Sequence, residues 1–111
     1  MLALIGLKKL MYKRWKKYDP KWLIKASEYR FDEYPWLRDA LLQCTKAKER
    51  SEWYTYFIDD KNPNTPGSNW QFQESITIED TPEGDIVIDI VKNNRVGGIE
   101  YLTRVINDSI K

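Results

Sequence analysis

Between Trp70 and Leu102, stretches of alternating apolar and polar residues are interrupted twice by turn-forming residues, and no other feature of the 111-residue chain constrains the fold as much. Trp70, Phe72, Ile76 and Ile78 alternate with Gln71, Gln73, Ser75, Thr77 and Glu79, the pattern of a strand with one wet face. Glu74 falls on its otherwise apolar side. Thr81-Pro82-Glu83-Gly84 is turn chemistry, and Ile86, Ile88 and Ile90 with Val87 and Val91 follow as a more deeply buried strand. Asn93-Asn94 favours a tight reversal because asparagine tolerates positive φ, and Val96 to Leu102 returns as a further strand. Gly97-Gly98 inside it predicts a bulge or a close approach to the backbone. Trp53 to Ile58 is rich in aromatic and β-branched residues and supplies one more strand. Residues 103–111 either end the last strand or form a short helix.

The first half of the chain has a different period. Leu4, Leu7, Met11, Trp15 and Tyr18 recur at steps of 3 and 4, one stripe of an amphipathic helix whose other faces carry Lys8, Lys9, Lys13, Arg14, Lys16 and Lys17. Asp19-Pro20 reads as an N-cap followed by proline at the first helical position, opening a second helix through Trp22, Leu23, Ala26 and Tyr29. Pro35 opens a third, with Leu37, Ala40, Leu41 and Cys44 inward until Lys46–Ser51 turns polar. The expected fold is therefore α+β: two or three N-terminal helices packed on a four-stranded antiparallel meander. One domain spans residues 1–111, helical over about 3–50 and strand-rich over about 52–106.

Composition narrows the chemistry. The chain has no histidine and a single cysteine, Cys44, which excludes Ser/His and Cys/His catalytic pairs, a histidine-containing zinc site and an internal disulfide. No cofactor or metal is expected, and a binding protein is favoured over an enzyme. The lone cysteine suits a reducing cytoplasm. Met1–Leu7 is apolar, but its lysines follow rather than precede it and it is far shorter than a membrane span, so neither a secretory signal nor a spanning helix is expected.

The net charge of +1 conceals a division: residues 1–50 hold 13 Lys and Arg against 6 Asp and Glu, whereas residues 51–111 hold 5 against 11. Either the halves neutralise one another on folding, or one face stays charged and steers a partner of opposite sign. Two candidate surfaces follow. The first is acidic: Asp59 and Asp60 before the long Asp59–Asn69 loop, and Glu79, Asp80, Glu83 and Asp85 around the following turn. Trp70, at the end of the loop, is either an anchor at a protein contact or a cap on the sheet end. Calcium is disfavoured at this turn because it lacks the spacing of a calcium loop. The second surface is basic: Lys13, Arg14, Lys16, Lys17 and Lys21, interleaved with aromatics as in nucleic-acid binders, or else a solvated helix face. Glu74, Asp89 and Glu100 are the carboxylates that an acid/base enzyme would need to bring together.

The segment NPNTPGSNWQFQESITIEDTPEGDIVIDIVKNNRVGGIEYL, Asn62 to Leu102, resembles the strand-rich region of small bacterial immunity proteins encoded beside polymorphic or contact-dependent inhibition toxins. The resemblance covers about a third of the chain and involves no catalytic motif. It implies a cytoplasmic, non-catalytic protein that binds one cognate toxin, a nuclease among the candidates, and occludes its active or substrate-binding surface. On that reading Asp59, Asp60, Glu79, Asp80, Glu83 and Asp85 supply the negative field and Trp70 the anchor. The alternative is a nucleic-acid-associated regulator or antitoxin using the basic N-terminal helix.

Overall fold

The computed structural model describes residues 14–109. They form six strands, β1 (Trp15–Lys17), β2 (Lys46–Ser51), β3 (Tyr54–Tyr56), β4 (Phe72–Thr81), β5 (Gly84–Val91) and β6 (Arg95–Tyr101), and three short helices, α1 (Lys21–Ser27), α2 (Leu37–Leu42) and α3 (Leu102–Ser109). All strands pair antiparallel in one sheet of order β1-β2-β3-β6-β5-β4. This overturns the expected helices on a four-stranded meander. Only β4, β5 and β6 form a meander; β3 pairs with β6 rather than with its successor β4, and β1 and β2 extend the sheet on the far side.

The turns follow from local chemistry. Asn93 and Asn94 both take positive φ, 68° and 56°, which is the reversal that joins β5 to β6. Gly84 at φ 82° closes the β4–β5 turn. Asp19 Oδ1 accepts the Lys21 N–H at 3.1 Å where α1 begins.

Isoleucines lock the register. Ile76, Ile88 and Ile99 stand side by side across β4, β5 and β6, and Ile78, Ile86 and Tyr101 form the next row. These rows pack beneath Leu23 of α1 and Leu37 and Leu41 of α2, all fully buried. Each such side chain contributes on the order of 1.5–3 kcal/mol by leaving water. A one-residue slip would turn every isoleucine to the opposite face, which is why this register is unique.

The expected basic first helix is overturned over Trp15–Lys17. Lys13 and everything before it lie outside the described residues; Trp15–Lys17, read as helical, is an edge strand paired with β2, with Trp15 opposite Lys48 and Lys17 opposite Lys46. Successive side chains of a strand point to opposite faces, so Lys16 and Lys17 share no stripe. Lys46–Ser51, read as the polar end of a helix, is β2, in which Ala47 alone is buried. A strand with so little buried surface carries no apolar alternation to read.

Candidate binding groove

The helices α1 and α2 cover one face of the sheet; an aromatic cluster lies on the other. Tyr54 and Tyr56, two residues apart on β3, share this second face with Val91 and Trp70. The rings are in contact: Tyr54 and Tyr56 centroids lie 4.6 Å apart, Tyr56 and Trp70 5.2 Å, and Trp53 and Tyr54 6.3 Å. Between them opens a groove of about 500 Å³, lined by Trp53, Tyr54, Tyr56 and Trp70 and by the charged side chains of Arg50, Asp60, Asp89 and Glu100.

The glycine pair Gly97-Gly98 makes the cluster possible. The register shifts between Asp89 and Ile90 opposite these glycines, so the predicted bulge is present. The predicted close approach is present as well. A Cβ on Gly97 would meet the Trp70 ring at 2.6 Å, and one on Gly98 would meet the Tyr54 ring at 2.6 Å. Both aromatic side chains therefore lie directly on the β6 backbone.

Electrostatics divide the groove into a neutralised side and an open side. Asp60 is bound by Lys48 Nζ at Oδ1 and by Arg50 Nη1 at Oδ2, each at 2.8 Å. Burial opposes ionisation of Asp60, but the hydrogen bond and charge of Lys48, reinforced by Arg50, outweigh it and hold the carboxyl below its ordinary pKa. Across the groove, Asp89 accepts the Tyr54 hydroxyl at Oδ2 at 2.5 Å and the Ser75 hydroxyl at Oδ1 at 2.9 Å. Burial, then the bond to Asp89, pushes the Tyr54 phenol well above the ordinary tyrosine range, so it stays a donor. Burial and the charge of Asp60 likewise raise Tyr56. Neither Asp89 nor Glu100 makes an ion pair among the described residues.

The candidate residues read from sequence do not form one acidic surface. Glu79, Asp80, Glu83 and Asp85 meet at the β4–β5 turn, where two of the carboxylates are engaged: Glu83 pairs with Arg104 at 2.7 Å and Asp85 Oδ1 accepts the Asp80 N–H at 2.9 Å. Asp59 and Asp60 lie elsewhere, beyond β3 on the side of Gly97. Asp59 accepts the Lys61 N–H at 3.0 Å in a local turn, and Asp60 is the buried hub just described. Trp70 is no exposed anchor: at 7% exposure it caps the sheet over Gly97.

On the basic side, Arg14, Lys17 and Lys21 are exposed, and Lys16 is bound to Glu49 at 3.1 Å. Of the three strand carboxylates, Asp89 and Glu100 share the groove. Glu74 stands opposite Ile90, on the helix-covered face, and does not join them. Trp53, Tyr54, Tyr56 and Arg50 were not singled out as site residues; the i, i+2 tyrosines of β3 were the available signal.

Among the described residues, no group of three or more Asp, Glu and Cys side chains could hold a metal, and no helix is long and apolar enough to cross a membrane. No protein-family model matches the chain, and neither curated proteins nor solved structures give a match.

Proposed function

We propose that this is a non-catalytic binding protein, and specifically a cytoplasmic immunity protein that neutralises a bacterial toxin domain by covering its active or substrate-binding surface. The observation that carries the reading is the groove on the sheet face opposite α1 and α2, walled by Trp53, Tyr54, Tyr56 and Trp70. Aromatic walls bury much area at small entropic cost, as protein contacts require. Asp89 and Glu100, which make no ion pair among the described residues, add a negative field suited to a basic partner such as a nuclease. The likeness of Asn62–Leu102 to immunity proteins supports the toxin-directed version, since this segment contributes Trp70, Asp89 and Glu100 to the groove. The contact surface on this reading is the groove, in place of the acidic turn.

The experiment is affinity capture with the tagged chain from its native lysate, with and without nuclease treatment, beside a Trp53→Ala variant. The expected result is one stoichiometric protein that survives nuclease treatment, is lost with the variant, and has a toxic activity that the chain suppresses. Recovery of nucleic acid, with proteins lost after treatment, would overturn the reading in favour of Arg14, Lys17 and Lys21 as the functional surface.

A further inference from the structure

The sheet face opposite α1 and α2 already holds one cation in an aromatic setting. Lys48 Nζ sits 5.4 Å from the centre of the Trp15 ring and 5.8 Å from that of Tyr56, and it donates to Asp60 Oδ1 at 2.8 Å. Ring faces attract the ammonium through their quadrupoles, and the carboxylate fixes its position. The neighbouring part of the same face repeats these components, with no cation paired to its carboxylates among the described residues. There Trp53 and Tyr54 stand beside Tyr56 and Trp70, and Asp89 and Glu100 take the place that Asp60 holds next to Lys48.

Three details fit this second arrangement to a ligand. The Tyr54 and Ser75 hydroxyls each use one oxygen of Asp89, which fixes the carboxylate and leaves both oxygens a further lone pair. Glu100 stands opposite Tyr54 in the β3–β6 register, so a second acceptor adjoins the same ring. Arg50, the cation that also lines the groove, is bound to Asp60. The volume of about 500 Å³ exceeds a single cationic head group and admits its stem and flanking backbone.

We propose that the groove is a receptor for an arginine side chain presented by a partner protein, held by Asp89 and Glu100 and stacked against Trp53. The assignment rests on the binding function proposed above and names the partner's chemistry. Arginine is favoured over lysine because its planar guanidinium stacks on rings, forks between two acceptors and is weakly hydrated.

The test is titration of the isotope-labelled chain with N-acetyl-arginine methylamide, followed by NMR, beside the citrulline analogue, which has the same shape and no charge. The expected result is saturable shifts at the Trp53 and Trp70 indole N–H groups and at the Gly98 and Glu100 amides, with citrulline at least about tenfold weaker. Asp89→Asn combined with Glu100→Gln is expected to abolish saturation while the rest of the spectrum keeps its dispersion. Equal responses to both compounds, a linear response without saturation, or unchanged saturation in the double variant would each overturn the assignment. If a captured protein partner is retained in full by the double variant, the arginine assignment fails while the binding reading stands. If the arginine analogue binds as expected and no protein is captured, the cation site stands and the protein-binding reading fails.

Discussion

Tyr54 on β3 donates a 2.5 Å hydrogen bond to Asp89 on β5, and the bond passes over Gly98 of the intervening strand β6. Two strands that are not neighbours in the sheet are thereby tied through side chains, at a point where the middle strand has none. Gly98→Ala places a methyl group where the Tyr54 ring now lies, at 2.6 Å from its edge and 2.7 Å from its hydroxyl oxygen. The expected cost is about 2–3 kcal/mol, read as a lower midpoint in urea denaturation. Tyr54→Phe keeps the ring and loses only the bond, so its expected cost is about 1 kcal/mol. Equal costs for the two variants would show that the close approach at Gly98 does not matter.

Asp60 gives a prediction with a definite pH sign. Its folded-state pKa lies below the ordinary carboxylate value, so its contribution to stability is complete above the unfolded pKa and fades as pH falls through the folded one. Asp60→Asn leaves Lys48 and Arg50 without their shared acceptor, and the expected loss at neutral pH is about 2 kcal/mol. The wild type and the variant are expected to converge below roughly pH 4, where the carboxyl begins to protonate in the unfolded chain. Thermal melts across an acid-to-neutral series check this; a gap that widened on acidification would reverse the sign.

Cys44 lies under α2 with its Sγ 3.7 Å from the Ala40 carbonyl oxygen, and burial pushes the thiol up to about 12. A thiol of that pKa has almost no thiolate at neutral pH. Its reaction with an aromatic disulfide reagent is expected to be slower than that of free cysteine by on the order of a thousandfold, until denaturant unfolds the chain. Rapid labelling of the native protein would contradict the packing at this site.

Arg104 and Glu83 meet on the surface at 2.7 Å, and both side chains are well exposed to solvent. Exposed pairs of this kind contribute about 0–1 kcal/mol and are screened by salt. Arg104→Ala also removes the guanidinium stacked 4.0 Å from the centre of the Tyr101 ring and the hydrogen bond to the Glu52 carbonyl oxygen. The loss is therefore expected to reach about 1 kcal/mol and to persist in part at high salt, because stacking is screened less than a surface ion pair. Denaturation at low and high salt separates the two contributions.

The parts of the fold that sequence revealed are those in which burial and turn chemistry agree. Ile86, Ile88 and Ile90 alternate because one face of β5 lies under the helices, and the asparagine pair and Gly84 mark the reversals on either side. The outer strands were not legible. β2 buries Ala47 alone, and β1 is held to it by partners as distant in sequence as Trp15 and Lys48, so no local pattern records the pairing. Helical spacing through Trp15 and Tyr18 was a coincidence of period: Tyr18 packs edge-on against Phe57 at 4.9 Å, while Trp15 is 42% exposed at the sheet margin. Charge was the weakest guide to the site. Asp60 looked like surface and is a buried hub, whereas Asp89 and Glu100, singled out with Glu74 only as carboxylates that an acid/base site would need, line the groove without it. Whether a carboxylate is answered depends on bases far along the chain, which spacing does not encode.

The strand order also shows where the sheet should open. The β2–β3 hairpin, with β1 attached, and the β4–β5–β6 meander are two pieces, and within the sheet they meet along one short seam: Tyr54 with Glu100, Thr55 with Ile99, and Tyr56 with Gly98. Backbone bonds from Tyr101 N–H to the Trp53 carbonyl and from Phe57 N–H to the Gly97 carbonyl close its two ends. A short seam between separately cohesive pieces is a natural boundary between foldons, and its amide protons are expected to exchange with solvent sooner than those of β5. The groove lies across this boundary, with Tyr54 and Tyr56 on one side and Asp89 and Glu100 on the other. A partner seated there fastens the two pieces like a clasp, and the slowing of exchange at Phe57 and Tyr101 would register its arrival.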